Sequence, residues 1–116
     1  MTNLSLDQKV TLKVEYEGYS YYGMGGGINR FTTKGTLREC LAQVAESDSF
    51  YISGKEIREG HLEDEEEELT LTDILNKLDD SDGAAYIIYL KVRVGNGKYE
   101  TLIENYYDEE EEDYDD

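Results

Sequence analysis

The chain has 116 residues and a formal net charge of −17, from 28 Asp plus Glu against 11 Lys plus Arg. That length supports one hydrophobic core, and that charge disfavours direct binding of nucleic acid or an anionic membrane, which both need basic residues. The single cysteine, Cys40, excludes an internal disulfide framework and a multi-cysteine zinc site.

One cysteine fits a reducing, cytoplasmic setting. The stretch Met1–Lys9 lacks a basic flank followed by an apolar run, so no secretory signal is expected. No apolar stretch approaches the length of a membrane span. Eleven tyrosines stand against two phenylalanines and no tryptophan, a balance suited to half-exposed faces and interfaces.

In chain order, Val10–Glu17 alternates: Val10, Leu12, Val14 and Tyr16 share one face, and Thr11, Lys13, Glu15 and Glu17 the other. This predicts a half-buried strand, which Tyr19–Tyr22 extends. Gly23–Gly27 reads as a turn and Ile28–Thr33 as the returning strand of a hairpin, broken by Lys34-Gly35. Thr36-Leu37-Arg38-Glu39 fits a capping box at the start of a helix whose stripe is Leu37, Leu41, Val44 and Ala45. Phe50–Ile52 reads as a short strand, Ser53-Gly54 as a turn, and Lys55–Ile57 as the strand's continuation.

Six consecutive carboxylates follow: Glu63, Asp64, Glu65, Glu66, Glu67 and Glu68. Such a run predicts a solvated loop. Thr70–Asp73 opens a second short helix with Leu71, Ile74, Leu75 and Leu78 on one face. Ala85–Val94 is apolar on both faces over its first half, so a central strand is expected. Gly95-Asn96-Gly97 signals a hairpin into Lys98–Ile103, with Tyr99, Thr101 and Ile103 on one face.

The chain's last stretch, 105–116, carries Tyr106, Tyr107, Asp108, Glu109, Glu110, Glu111, Glu112, Asp113, Tyr114, Asp115 and Asp116 after Asn105. Its composition predicts disorder. The expected organisation is an α+β domain over 1–104, with a small mixed sheet of four to five strands, one main helix and one short helix, and the tail at 105–116.

The order of elements resembles the ubiquitin-like β-grasp over residues 10–97. Phe50–Leu62 is similar to that family's passage from its third to its fourth strand, and Ile87–Gly97 to its last strand and glycine end. The resemblance implies a binding module rather than a catalyst. The acidic insertion, the second helix and the continuation past Gly97 depart from the family, which puts conjugation through a terminal glycine in doubt. In composition, the small size, excess acid and tyrosines resemble phage-encoded DNA-mimic inhibitors of the anti-restriction and anti-CRISPR type. That resemblance implies carboxylates standing where phosphates would.

Catalytic motifs fit poorly. Cys40 and His61, the one histidine, could form a nucleophile–base dyad, but a packed cysteine and a loop histidine suffice. Gly23–Gly27 lacks the Gly-Lys-Ser/Thr of a phosphate loop, and Gly54-Lys55 is followed by Glu56. A calcium loop aligned on Gly83 places Leu78 and Tyr89 where carboxylates are needed. No catalytic residue, cofactor or metal is therefore expected.

The two acidic runs hold fourteen of the 28 carboxylates, and the chain without its tail still has 20 acids against 11 bases. The function expected is that of a non-enzymatic acidic inhibitor. It binds the basic surface of a nucleic-acid-handling protein through Glu63–Glu68 and Tyr106–Tyr114, in a host cytoplasm if phage-encoded. The alternative is a β-grasp adaptor that binds through its sheet face. The sequence leaves the oligomeric state open.

Overall fold

The structure, a computed structural model, describes residues 4–18, 28–47, 50–80 and 85–105. Four strands and three helices follow in the order β1 (Lys9–Glu17), β2 (Ile28–Thr36), α1 (Leu37–Glu46), α2 (Gly54–Glu59), α3 (Leu71–Asp79), β3 (Tyr86–Arg93) and β4 (Glu100–Glu104). The strands form one sheet ordered β2-β1-β3-β4, antiparallel at every junction. The α+β class stands. The expected mixed sheet is instead antiparallel, because β3 enters beside the end where β1 leaves, pairing Tyr86 with Glu17. Among the described residues no helix is long and apolar enough to cross a membrane.

The alternation of β1 sets the layers. Val10, Leu12, Val14 and Tyr16 are buried under the helices, which contribute Leu37, Cys40, Leu41, Val44, Ile57, Ile74 and Leu78 to the same core. At one end of this core the Tyr16 and Phe50 rings meet edge to face, with centroids 5.5 Å apart. The Tyr16 hydroxyl donates to the Ser47 carbonyl at 3.3 Å. Among the described residues the opposite sheet face carries no helix.

β1 and β2 pair from Lys9↔Thr36 to Glu17↔Ile28, so the hairpin forms as its alternation requires. Lys34-Gly35 does not break β2. The strand passes through Gly35 at φ 148, a conformation that glycine adopts without a Cβ penalty. The expected extension at Tyr19–Tyr22 and the turn at Gly23–Gly27 lie outside the described residues, as does Gly83.

The largest correction concerns residues 50–62. Gly54–Glu59 form a helix, α2, where Lys55–Ile57 was expected to continue a strand, and Phe50–Ile52, the expected start of that strand, is irregular. Ser53-Gly54-Lys55-Glu56 is a capping box. The Ser53 hydroxyl accepts from the Glu56 amide at 3.0 Å, and the Glu56 carboxylate accepts from the Ser53 amide at 3.0 Å. Gly60 closes the helix in the left-handed region at φ 88. A helix this short depends on its caps. Ser53→Ala therefore lowers global stability by about 1 kcal/mol, read as a lower urea midpoint at unchanged slope.

Two β-bulges change which residues face the core. Between Glu15 and Tyr16 the register with β3 slips by one, so Ile87, Leu90 and Val92 point inward, and Tyr89, Lys91 and Arg93 point to the uncovered face. A second slip between Leu90 and Lys91 brings Ile103 into the core, while Thr101 pairs with Lys91 on the uncovered face. The expected common face of Tyr99, Thr101 and Ile103 is thus split. A bulge inserts one residue and reverses the alternation beyond it.

Candidate functional site

The acidic run follows α2 and precedes α3. All six side chains of Glu63–Glu68 are exposed, and none forms an ion pair among the described residues. The run is nonetheless fixed at both ends. The Glu63 amide donates to the Glu56 carboxylate at 3.1 Å. Leu69 is buried, and its amide donates to the Gly60 carbonyl at 2.7 Å. The Ser53 amide, and then the Glu63 amide, hold the Glu56 carboxyl below its ordinary range. A second capping box, Thr70 with Asp73, starts α3 just beyond. The carboxylates are thus presented from an anchored bracket. A cleft beside it is lined by Glu65, Glu67, Glu68, Asp73, Lys77 and Asp80, among others.

α1 and α2 are joined across their exposed sides by Arg58. Its guanidinium donates to both Glu39 carboxylate oxygens, each at 2.9 Å, and to both oxygens of Glu46. Glu39 therefore does not reach back to its own N-cap. Thr36 accepts from the Glu39 amide at 3.1 Å, and Arg58 takes the carboxylate. Hydrogen bonding from Arg58 lowers the Glu39 and Glu46 carboxyls from their ordinary value of 4.5. A lowered folded-state value stabilises the fold above the unfolded value and is lost as pH falls through the folded one. Arg58→Met should thus be less stable than the parent at pH 7, by a modest amount because the pair is half exposed. The gap between the two urea midpoints should close as pH drops below 4.5.

The residues of the candidate dyad are engaged elsewhere. Cys40 is fully buried, its Sγ lies 3.8 Å from the Thr33 carbonyl oxygen, and burial pushes its thiol up. His61 Nδ1 lies 3.0 Å from the Leu62 carbonyl oxygen. Neither contact activates the thiol. Among the described residues no three His, Cys, Asp or Glu side chains converge as metal ligands.

The uncovered sheet face is basic, which the net charge concealed. Six of the 11 basic residues project from it: Lys9 and Lys13 on β1, Arg30 and Lys34 on β2, and Lys91 and Arg93 on β3. Cross-strand rows order them. Lys34, Thr11 and Arg93 form one row, and Thr32, Lys13, Lys91 and Thr101 the next. Lys13 Nζ sits 4.4 Å from the Tyr99 ring centroid and Arg93 Cζ 5.0 Å from the same ring, while Lys91 Nζ sits 5.0 Å from Tyr89. The row beyond holds Arg30, paired with Glu15 at 3.4 Å, then Tyr89 and Glu104. No described carboxylate pairs with Lys13, Lys34, Lys91 or Arg93, and Arg93 Nε is buried without an acceptor.

Sequence reasoning passed over this cluster. The signal was present in the alternation of Lys13 with Leu12 and Val14, and of Lys91 and Arg93 with Leu90 and Val92. It needed the pairing of β1 with β3 to bring the cations together.

Asn105, the last described residue, is held to β3 and α3. Its side-chain amide donates to Asp79 Oδ1 at 2.6 Å and to the Ile87 carbonyl at 3.1 Å. Its backbone amide donates to the Ile88 carbonyl at 2.8 Å, and its carbonyl accepts from the Tyr86 hydroxyl at 3.0 Å. The other expected contact residues, Tyr106, Tyr107, Asp108, Glu109, Glu110, Glu111, Glu112, Asp113 and Tyr114, lie outside the described residues. No protein-family profile, curated protein or solved structure matches the chain.

Proposed function

We propose that this chain is a non-enzymatic acidic inhibitor that occupies the basic site of a nucleic-acid-handling protein and excludes its nucleic acid, in the manner of anti-restriction and anti-CRISPR mimics. The observation that carries the reading is the bracket of Glu63–Glu68: six exposed carboxylates, without an ion pair among the described residues, between two hydrogen-bonded ends. Fixed ends reduce the ordering cost of binding. The run opens in a turn, with the Glu65 amide donating to the Leu62 carbonyl at 3.1 Å, so its carboxylates cluster on one short surface loop. Asp108–Asp116, with Tyr106, Tyr107 and Tyr114, supplies further charge and aromatic surface to the same partner.

The test is competition. A nucleic-acid-binding protein retained on the immobilised chain at low salt should release its DNA or RNA in a gel shift when the chain is added. A version with Gln at positions 63, 65, 66, 67 and 68 and Asn at 64 should not cause that release. Unchanged competition by the neutralised version removes the bracket from the mechanism.

The uncovered face favours a second reading, that of a β-grasp-like adaptor binding through its sheet. Tyr89 and Tyr99, flanked by Lys13, Lys91 and Arg93, form a surface suited to an acidic partner. In that case K91Q/R93Q abolishes partner binding and neutralisation of Glu63–Glu68 does not.

A further inference from the structure

Among the described residues the cationic rows of this sheet face lack a counter-charge. Lys13 and Lys91 stand directly opposite one another on adjacent strands, an arrangement that repels. Arg93 and Lys34 lie in the neighbouring row, and no described carboxylate neutralises any of the four. The Arg93 Nε lacks an acceptor as well. Such a cluster, in a chain of net charge −17, calls for an anion with several charges rather than one.

We propose that the occupant is the chain's own acidic segment, 106–116, laid across Lys13, Lys34, Lys91 and Arg93. Charge complementarity is the first argument, with eight carboxylates in the segment against four cations on the face. Reach is the second. The segment departs from Asn105, which is bonded to β3 at Ile87 and Ile88. From Ile88 to Arg93 the strand covers only ~17 Å at ~3.3 Å per residue, whereas eleven extended residues span up to ~36 Å. Tethering is the third. A tethered segment meets its site at an effective concentration of order mM, so individually weak surface ion pairs suffice together. Three tyrosines in the segment also bring rings to a face already built from Lys, Arg and Tyr.

This inference goes beyond the inhibitor reading and does not depend on it. Its consequence is a threshold. A basic partner must outcompete the chain's own cations before it gains the carboxylates of the segment, whereas Glu63–Glu68 is available from the start.

The experiment uses the full chain without a partner, so its outcome is separable from the competition assay. A nitroxide is attached through Asp113→Cys, since Cys40 is fully buried, and amide relaxation is read across the ¹⁵N-labelled protein. The expected result is selective broadening at Lys13, Lys34, Lys91 and Arg93. It should be lost when salt rises from about 0.01 M to about 1 M, as the Debye length falls from ~30 to ~3 Å. It should also be lost in K91Q/R93Q. A segment with its other carboxylates changed to amides alters no described residue and should give the same loss.

Broadening spread evenly over both faces, or insensitive to salt, overturns the proposal. Broadening that appears only between labelled and unlabelled chains assigns the face to a second copy. Salt-insensitive tail signals, together with shifts of the same face on adding oligo-dT, assign it to single-stranded nucleic acid. Either of those outcomes also overturns the intramolecular reading.

Discussion

Neutralising Glu63–Glu68 should slow association with the proposed basic partner by about tenfold or more at low salt. The difference should fade toward high salt as the Debye length shortens. The substitutions move the net charge from −17 to −11, since six carboxylates are removed. The large kinetic effect follows from where those charges sit. They are consecutive and exposed, and none is neutralised by a cation of the described fold. The same variant should keep its thermal midpoint or gain a little, because no ion pair or buried contact is lost and self-repulsion falls. Stopped-flow association at several salt concentrations, beside a melting curve, tests both halves. An unchanged association rate with a lowered midpoint would make the run a structural feature and remove it from the binding surface.

Leu90→Ala should cost about 3 kcal/mol, a large part of the ~5–15 kcal/mol typical of a domain. It should lower the melting temperature by roughly 10 °C. Leu90 is fully buried in β3, opposite Val14 on one side and Ile103 on the other. Truncation leaves a cavity that two hydrogen-bonded neighbouring strands cannot close. Lys91→Ala, one residue on, should lie within about 0.5 kcal/mol of the parent, because its side chain projects from the uncovered face and removing it relieves the repulsion with Lys13. The contrast between adjacent positions tests the phase of β3 directly. Equal costs at 90 and 91 would mean that the strand is buried on both faces at that point.

Much of the fold was legible from the residues. The alternation of β1 and the apolar stripe of α1 appear where expected, because each is a local pattern with one satisfactory burial. Two of the misread features have local causes. At 50–57 the β-like Phe50-Tyr51-Ile52 outweighed Ser53 and Glu56, whose spacing is a helix start. In β4 strict alternation put Tyr99, Thr101 and Ile103 on one face, which a bulge in the pairing with β3 splits, and a bulge leaves no mark in composition. At the candidate site the exposure of Glu63–Glu68 followed from six like charges in a row, which cannot be buried unpaired.

The sequence by itself determined the α+β class, the excess of acid and the exposure of the acidic run. These depend on composition and on contacts between near neighbours. Only the tertiary structure decided the antiparallel order β2-β1-β3-β4 and, with it, the basic face. Lys13 and Lys91 are 78 positions apart in the chain, as 91 less 13, and strand pairing sets them side by side. A net charge is a sum over the chain, whereas a binding surface depends on which charges the pairing of strands gathers on one side.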